Sequence, residues 1–161
     1  MLEILLADDE PTLRLSVGDA LEDAGHSVTR VGDGAQAWDA LERQIFDLVI
    51  TDIRMPELDG ITLFGRIHER IPDTAVILIT AYGQVAEAVN ALREGATDYL
   101  TKPFDINELL LRVSRVGERR GLKQALADAR VQLARETQAQ DIIGQAPGMV
   151  RLLERITTIA D

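Results

Sequence analysis

Asp47-Leu48-Val49-Ile50-Thr51-Asp52 is a short run of apolar and β-branched residues that ends on a carboxylate. Its apolar positions are continuous rather than alternating. A strand of this kind is covered on both faces, as in a parallel sheet lying between two layers of helices. The same reading extends outward in both directions. Upstream, strands are predicted over 3–7 and 27–31, with helices over 34–42 and from Pro11 to the residues before Gly25. The first helix presents Leu13, Val17, Ala20, Leu21 and Ala24 at helical spacing, and the second turns Ala37, Trp38 and Leu41 inward. Proline in the first turn and glycine just past the end are the usual punctuation of a helix. Downstream, helix 61–70, strand 75–79, helix 85–94 closed by Gly95, strand 99–101 and a helix from Ile106 complete the pattern. Five βα units in succession predict a doubly wound, flavodoxin-like (βα)5 parallel sheet of order 2-1-3-4-5.

The composition suits such a domain. Hydrophobic residues make up 46% and charged residues 27% of the 161 positions, and cysteine is absent. Disulfides, thiolate metal sites and thiol catalysis are thereby excluded. No apolar run reaches the roughly 18 residues of a membrane span, and no signal peptide is apparent, so a cytoplasmic protein without membrane contact is expected. The net charge of −10 is unevenly spread: residues 1–105 carry 20 acids and 8 Lys or Arg, whereas residues 106–161 carry 7 and 9. An acidic globule of this kind repels nucleic acid, whose binding rests on cationic neutralisation of phosphates.

Beyond the fifth unit the helical pattern continues. Ile106, Leu109, Leu110, Val113 and Val116 form a stripe suited to packing on the sheet. Leu122, Leu126, Ala129 and Leu133 form a second stripe at coiled-coil spacing. The two are out of phase, and Gly117 and Gly121 fall between them, which predicts a bent or flexible joint followed by a dimerising helix. The basic residues Arg112, Arg115, Arg119, Arg120 and Lys123 read as a solvated face of this linker. The pattern is expected to break after Thr137, with turn residues at 142–148 and a last helix over 149–160.

In an open α/β sheet, ligands bind beyond the carboxyl ends of the strands. Those ends carry Asp8-Asp9-Glu10 on strand one, Asp52 on strand three, Thr80 on strand four and Lys102 on strand five. Clustered carboxylates either raise a pKa or bind a cation. An all-oxygen set favours a hard ion, and Mg2+ is the usual choice in phosphoryl chemistry. Lys102 offers a point charge and Thr80 a hydroxyl donor to phosphoryl oxygens. Asp52, placed centrally, can act as nucleophile through an aspartyl phosphate. Taken singly, each residue has an ordinary explanation as a cap or a solvated side chain; their joint placement at consecutive strand ends carries the argument. His26 and His68 are expected to be solvated and Trp38 to be core, with Glu10 and Glu57 solvated beside the acidic rim.

Asp8-Asp9-Glu10, Asp52-Ile-Arg-Met-Pro56 with Asp59-Gly60, Thr80-Ala81 and Lys102-Pro103-Phe104 resemble the receiver domain of two-component response regulators. The likeness covers residues 1–120, leaving 121–140 as linker helix and short coiled coil. It implies Asp52 as phospho-acceptor of a histidine kinase, with Thr80 and Lys102 on the phosphoryl group. It also implies Mg2+ held by Asp9, Asp52 and the backbone carbonyl of Arg54, with Asp8 acting through water. Tyr99 matches the aromatic that changes rotamer together with the threonine, and Lys102-Pro103 the family's cis peptide. Arg54 and Tyr82 occupy positions that influence dephosphorylation. Residues 141–161, with Gly144-Gln-Ala-Pro-Gly-Met149, resemble the opening of the AAA+ domain in NtrC-type, sigma-54-dependent activators, with a flavour of the dicarboxylate-transport regulators. That likeness implies a homodimer formed through the helix 4–strand 5–helix 5 face and the linker helix. Contact with sigma-54 RNA polymerase and DNA would be made only by domains this stretch lacks, since no phosphate-binding loop or helix-turn-helix is present. Two other readings fit the acidic rim less well. A Mg2+-dependent aspartyl-phosphate phosphohydrolase would need a general acid near Asp52, where Arg54 stands. A receiver-like module that is never phosphorylated would not need the full acidic set.

Overall fold

The computed structural model describes residues 1–145, with side chains described to Asp141. The elements are β1 (Glu3–Ala7), α1 (Pro11–Asp23), β2 (Ser27–Val31), α2 (Gly34–Arg43), β3 (Leu48–Asp52), α3 (Gly60–Arg70), β4 (Ala75–Thr80), α4 (Val85–Arg93), β5 (Asp98–Thr101) and α5 (Ile106–Gln145). The five strands form one parallel sheet in the order β2-β1-β3-β4-β5, as the sequence predicts.

Successive side chains of a strand point to opposite faces, and here both faces are dry. Leu5, Ala7, Val49 and Leu78 pack with Ala37 and Leu41 of α2, Leu63, Phe64 and Ile67 of α3, and Ala88 and Ala91 of α4. On the other face Ile4, Leu6, Leu48, Ile50, Ile77 and Ile79 pack with Val17 and Leu21 of α1 and with Leu109, Val113 and Val116 of α5. All five residues of β3 are buried. This double coverage is why the strand sequences are continuously apolar.

Local chemistry sets the helix ends. Asp33 and Asp59 cap α2 and α3 by accepting from the backbone N–H groups of Gln36 and Thr62, each at 2.7 Å. Pro11 opens α1, and Gly25 (φ 95°) adopts beyond its end the left-handed conformation that side chains disfavour.

Three expectations are corrected. Trp38 is only partly buried: it lies at the margin of the core, its Nε1 donates to Glu42 Oε1 (2.9 Å), and Arg66 and Arg70 face its ring at 5.8 and 5.6 Å. Its indole has a polar end that needs a partner, and the surface supplies one. His26 is partly buried rather than solvated, and its Nδ1 accepts from the N–H of Leu2 at 3.1 Å. Helix α5 runs unbroken through Gly117 and Gly121 and past Thr137 to Gln145. Each glycine costs roughly 1 kcal/mol against alanine, which the surrounding Leu, Arg, Glu, Lys and Ala offset. A short 3-10 turn, Tyr82–Gln84, also precedes α4.

The chain divides into two compact units, Met1–Gly117 and Glu118–Asp161. In the second, Leu122, Leu126, Val131 and Leu133 are between 51% and 73% exposed. The helix expected over 149–160 and residues 146–161 of the expected second domain lie outside the described residues. Among the described residues no helix is long and apolar enough to cross a membrane.

Candidate functional site

The carboxyl ends of β1, β3, β4 and β5 bring Asp8, Asp9, Asp52, Thr80 and Lys102 to one edge of the sheet. Asp8, just past β1, is fully buried, and Asp52, the last residue of β3, is 7% exposed. Asp9 is exposed. One carboxylate oxygen from each of the three lies within 4.8 Å of the others. Lys102 enters from the end of β5, where its N–H donates to the Thr80 carbonyl at 2.7 Å. Its Nζ donates to Asp52 Oδ2 at 2.8 Å and lies 3.2 Å from Asp8 Oδ2. The Lys102-Pro103 peptide is cis.

The Asp8 contact is an ion pair in distance but is not aligned as a hydrogen bond, so Oδ2 is buried without a hydrogen-bond partner. Its companion Oδ1 accepts from the N–H of Glu10 at 2.8 Å. Burial raises the Asp8 pKa above the ordinary 3.8, against the opposing pull of the Glu10 amide and of Lys102. Burial pulls the Lys102 ammonium the other way, yet the hydrogen bond and charge of Asp52, aided by Asp8, leave its pKa raised.

The turn after β3 is shaped around Asp52. The N–H of Arg54 donates to Asp52 Oδ1 at 3.2 Å, and the Arg54 guanidinium pairs with Glu87 of α4 at 2.7 Å. Gly60 returns to the strand end through its N–H to the Ile53 carbonyl (2.8 Å); a Cβ at Gly60 would overlap the carbonyl oxygen of Asp52. Glu57 has φ 69°, a conformation few side chains adopt. An open cleft of about 500 Å³, lined by Asp9, Arg54, Met55, Pro56, Glu57 and Asp59, runs from this turn to the acidic cluster.

Thr80 is fully buried, and its hydroxyl donates to the Ala81 carbonyl at 3.1 Å. Tyr99, opposite Leu78 in the β4–β5 ladder, is half-buried against the α2–α3–α4 side of the core. Two residues the sequence reading passed over also bear on the site. Arg14 of α1 donates from Nη1 to the carbonyl of Asp8 at 2.7 Å and so fixes the β1–α1 turn. Glu87 holds Arg54. Neither carries a motif signal, because both act through contacts that only the tertiary fold creates.

Three carboxylates against one ammonium leave this edge negative. The all-oxygen donor set, with one buried oxygen lacking a partner, fits a hard divalent cation. A buried carboxylate at the carboxyl edge of a doubly wound sheet, flanked by an acidic cluster and a lysine, places the chain among α/β proteins with a polar site at the strand ends. Residues 4–114 match the family described as the response regulator receiver domain. The chain is 35% identical over 158 residues, 98% of its length, to the C4-dicarboxylate transport transcriptional regulatory protein DctD of Rhizobium meliloti, and 39% identical to DctD of Pseudomonas aeruginosa over a similar span. It spans about a third of the length of these curated relatives. Among solved structures, a response regulator receiver domain protein from Clostridium thermocellum aligns with TM-score 0.72 at 31% identity, covering 76% of this chain and 98% of that one. NtrX from Brucella abortus aligns with TM-score 0.74 at 34% identity, covering 80% and 29%. The chain belongs to the response regulator receiver family.

Proposed function

We propose that the chain is a phosphorylation switch in which Asp52 accepts a phosphoryl group from a partner histidine kinase. The observation that carries this reading is the position of Asp52. It is nearly buried at the central strand end, tied to Lys102 at 2.8 Å, with the carboxylates of Asp8 and Asp9 beside it. A carboxylate oxygen of Asp52 attacks phosphorus, the phosphorus–nitrogen bond to the kinase imidazole breaks, and the imidazole nitrogen keeps the electron pair. Lys102 and Thr80 receive the phosphoryl oxygens. Asp9, Asp52 and the backbone carbonyl of Arg54 would hold Mg2+, with Asp8 acting through water. The ion supplies positive charge that lets two anionic groups approach.

On phosphorylation Thr80 and Tyr99 reposition together and alter the face formed by α4, β5 and the first turns of α5. This requires only a bistable element whose two states differ by a few kcal/mol. The exposed leucines of residues 121–140 pair two chains in a short coiled coil. Through domains beyond this stretch, a cytoplasmic protein of this kind would control ATPase assembly and sigma-54-dependent transcription. The similarity to DctD along 98% of the chain supports that output.

Incubation with Mg2+ and acetyl phosphate followed by intact-mass measurement tests the reading. One added phosphoryl group is expected, absent with EDTA and in Asp52→Asn. No adduct under any condition would favour an unphosphorylated interaction module, and rapid multiple turnover of many phosphoesters a hydrolase.

A further inference from the structure

Arg54 has two attachments that pull on different parts of the fold. Its backbone N–H is fixed to Asp52 Oδ1 (3.2 Å), while its guanidinium reaches Glu87 Oε1 (2.7 Å) in the first turn of α4. The pair therefore ties the turn carrying the acceptor to the helix that follows Thr80. Both side chains are well exposed, 62% for Arg54 and 42% for Glu87. The arginine also lines the open cleft that contains Asp9.

We infer that the Arg54–Glu87 ion pair is a latch between the acceptor turn and α4, and that Arg54 leaves Glu87 for the phosphoryl group once Asp52 carries one. This rests on the reading of Asp52 as acceptor. The exchange is favoured by the relative strength of the two contacts. An exposed ion pair in water is weak and screened by salt. A phosphoryl group brings about two negative charges and three strong acceptor oxygens, and a guanidinium fork can bind it bidentately. Because the Arg54 backbone is already anchored at Asp52, only the side chain has to swing. Glu87 stays favoured by the positive end of α4, so losing its partner frees the helix from the acceptor turn without unfolding it. Arg54 thus acts as a positioning residue before phosphorylation and a phosphoryl-binding residue after it.

The test uses the whole chain with Mg2+ and beryllium fluoride, a stable phosphoryl mimic, titrated by calorimetry. Glu87→Gln releases Arg54 and should bind the mimic about two- to five-fold more tightly than the parent, the span of an exposed ion pair. Arg54→Gln should bind about ten-fold more weakly, having lost a charge-assisted contact. The double variant should match Arg54→Gln alone, since freeing a residue that is no longer there changes nothing. Without ligand, amide exchange over residues 81–93 should be faster in both single variants than in the parent. Parent-like affinity and exchange in Glu87→Gln, or additive effects in the double variant, would overturn the latch. If the parent itself does not bind the mimic, the acceptor reading fails first. Both positions are exposed, and circular dichroism of each variant confirms an intact fold.

Discussion

Lys102 and Asp52 lie 50 positions apart in sequence, yet Nζ and Oδ2 are 2.8 Å apart at the carboxyl edge of the sheet. The strand order accounts for the meeting: β4 stands between β3 and β5, and the three end within one residue of the same level. Lys102 Nζ also lies 3.2 Å from Asp8 Oδ2, so one ammonium serves two buried carboxylates. Lys102→Met should destabilise the metal-free protein by about 1–3 kcal/mol, less than the about 3–5 kcal/mol of a fully buried pair, because a quarter of the lysine side chain is exposed. Urea denaturation in EDTA measures the loss, which should shrink when Mg2+ is added. Equal losses in both conditions would contradict the shared role of lysine and cation.

Asp8 gives a pH dependence of definite sign. Its folded pKa is raised above the unfolded value of 3.8, chiefly by burial. Its contribution to folding is therefore fully present below the unfolded pKa and is lost as pH climbs through the folded pKa. At pH 7 this linkage works against folding when no cation is bound. Asp8→Asn should raise stability in EDTA at pH 7 by about 1–2 kcal/mol, the scale of a buried polar group without a partner. That gain should vanish near pH 4 and the response to Mg2+ should weaken. Thermal melts at the two pH values check this, and a variant less stable than its parent at pH 7 would refute it.

His26 shows the complementary case. Burial, aided by the nearby amino-terminal charge, lowers its pKa below 6.5. The neutral imidazole that accepts from Leu2 is therefore favoured by folding above the unfolded pKa, and its contribution is lost as pH falls through the folded pKa. His26→Gln should lose about 1 kcal/mol at pH 7.5, the worth of one hydrogen bond, and should flatten the stability profile between pH 7 and pH 5. Equal slopes in parent and variant would exclude this residue as a source of acid sensitivity.

Gly60 is a steric requirement of the turn after β3, since a Cβ there would collide with the Asp52 carbonyl. Gly60→Ala should cost about 2 kcal/mol or more and slow phosphorylation by acetyl phosphate beyond what the stability loss accounts for. Retention of the parental rate would show that the turn can shift without moving the carboxylate.

The exposed leucines of α5 bear on assembly. Leu122, Leu126 and Leu133 are 73%, 53% and 64% exposed and recur at coiled-coil spacing. Leu126→Asp should reduce the sedimenting mass from dimer toward monomer, and an unchanged mass would remove the coiled coil from the account.

The fold and much of the site were legible for one physical reason: a parallel sheet covered on both faces writes each strand as an unbroken apolar run, and the residue after the run is the one at the ligand edge. Asp8, Asp52, Thr80 and Lys102 were therefore locatable by counting. Residues whose role depends on a neighbour from another element were not. Arg14 reaches the carbonyl of Asp8, and Glu87 reaches Arg54, through geometry that no periodicity encodes. Trp38 was misplaced because amphipathic spacing puts it toward the core, whereas its indole nitrogen keeps it at the margin. The 3-10 turn Tyr82–Gln84 is too short to leave a period, and helix α5 continues through the glycines at 117 and 121 because good helix formers surround them.

The setting of Trp38 makes the protein its own fluorescent reporter. It is the chain's single tryptophan, with Glu42 on its nitrogen and the guanidinium groups of Arg66 and Arg70 over its ring. Its emission is consequently tuned by the seam between α2 and α3. A change in that signal on incubation with Mg2+ and acetyl phosphate would register movement of one helix against the other, at a distance in sequence from the proposed acceptor Asp52.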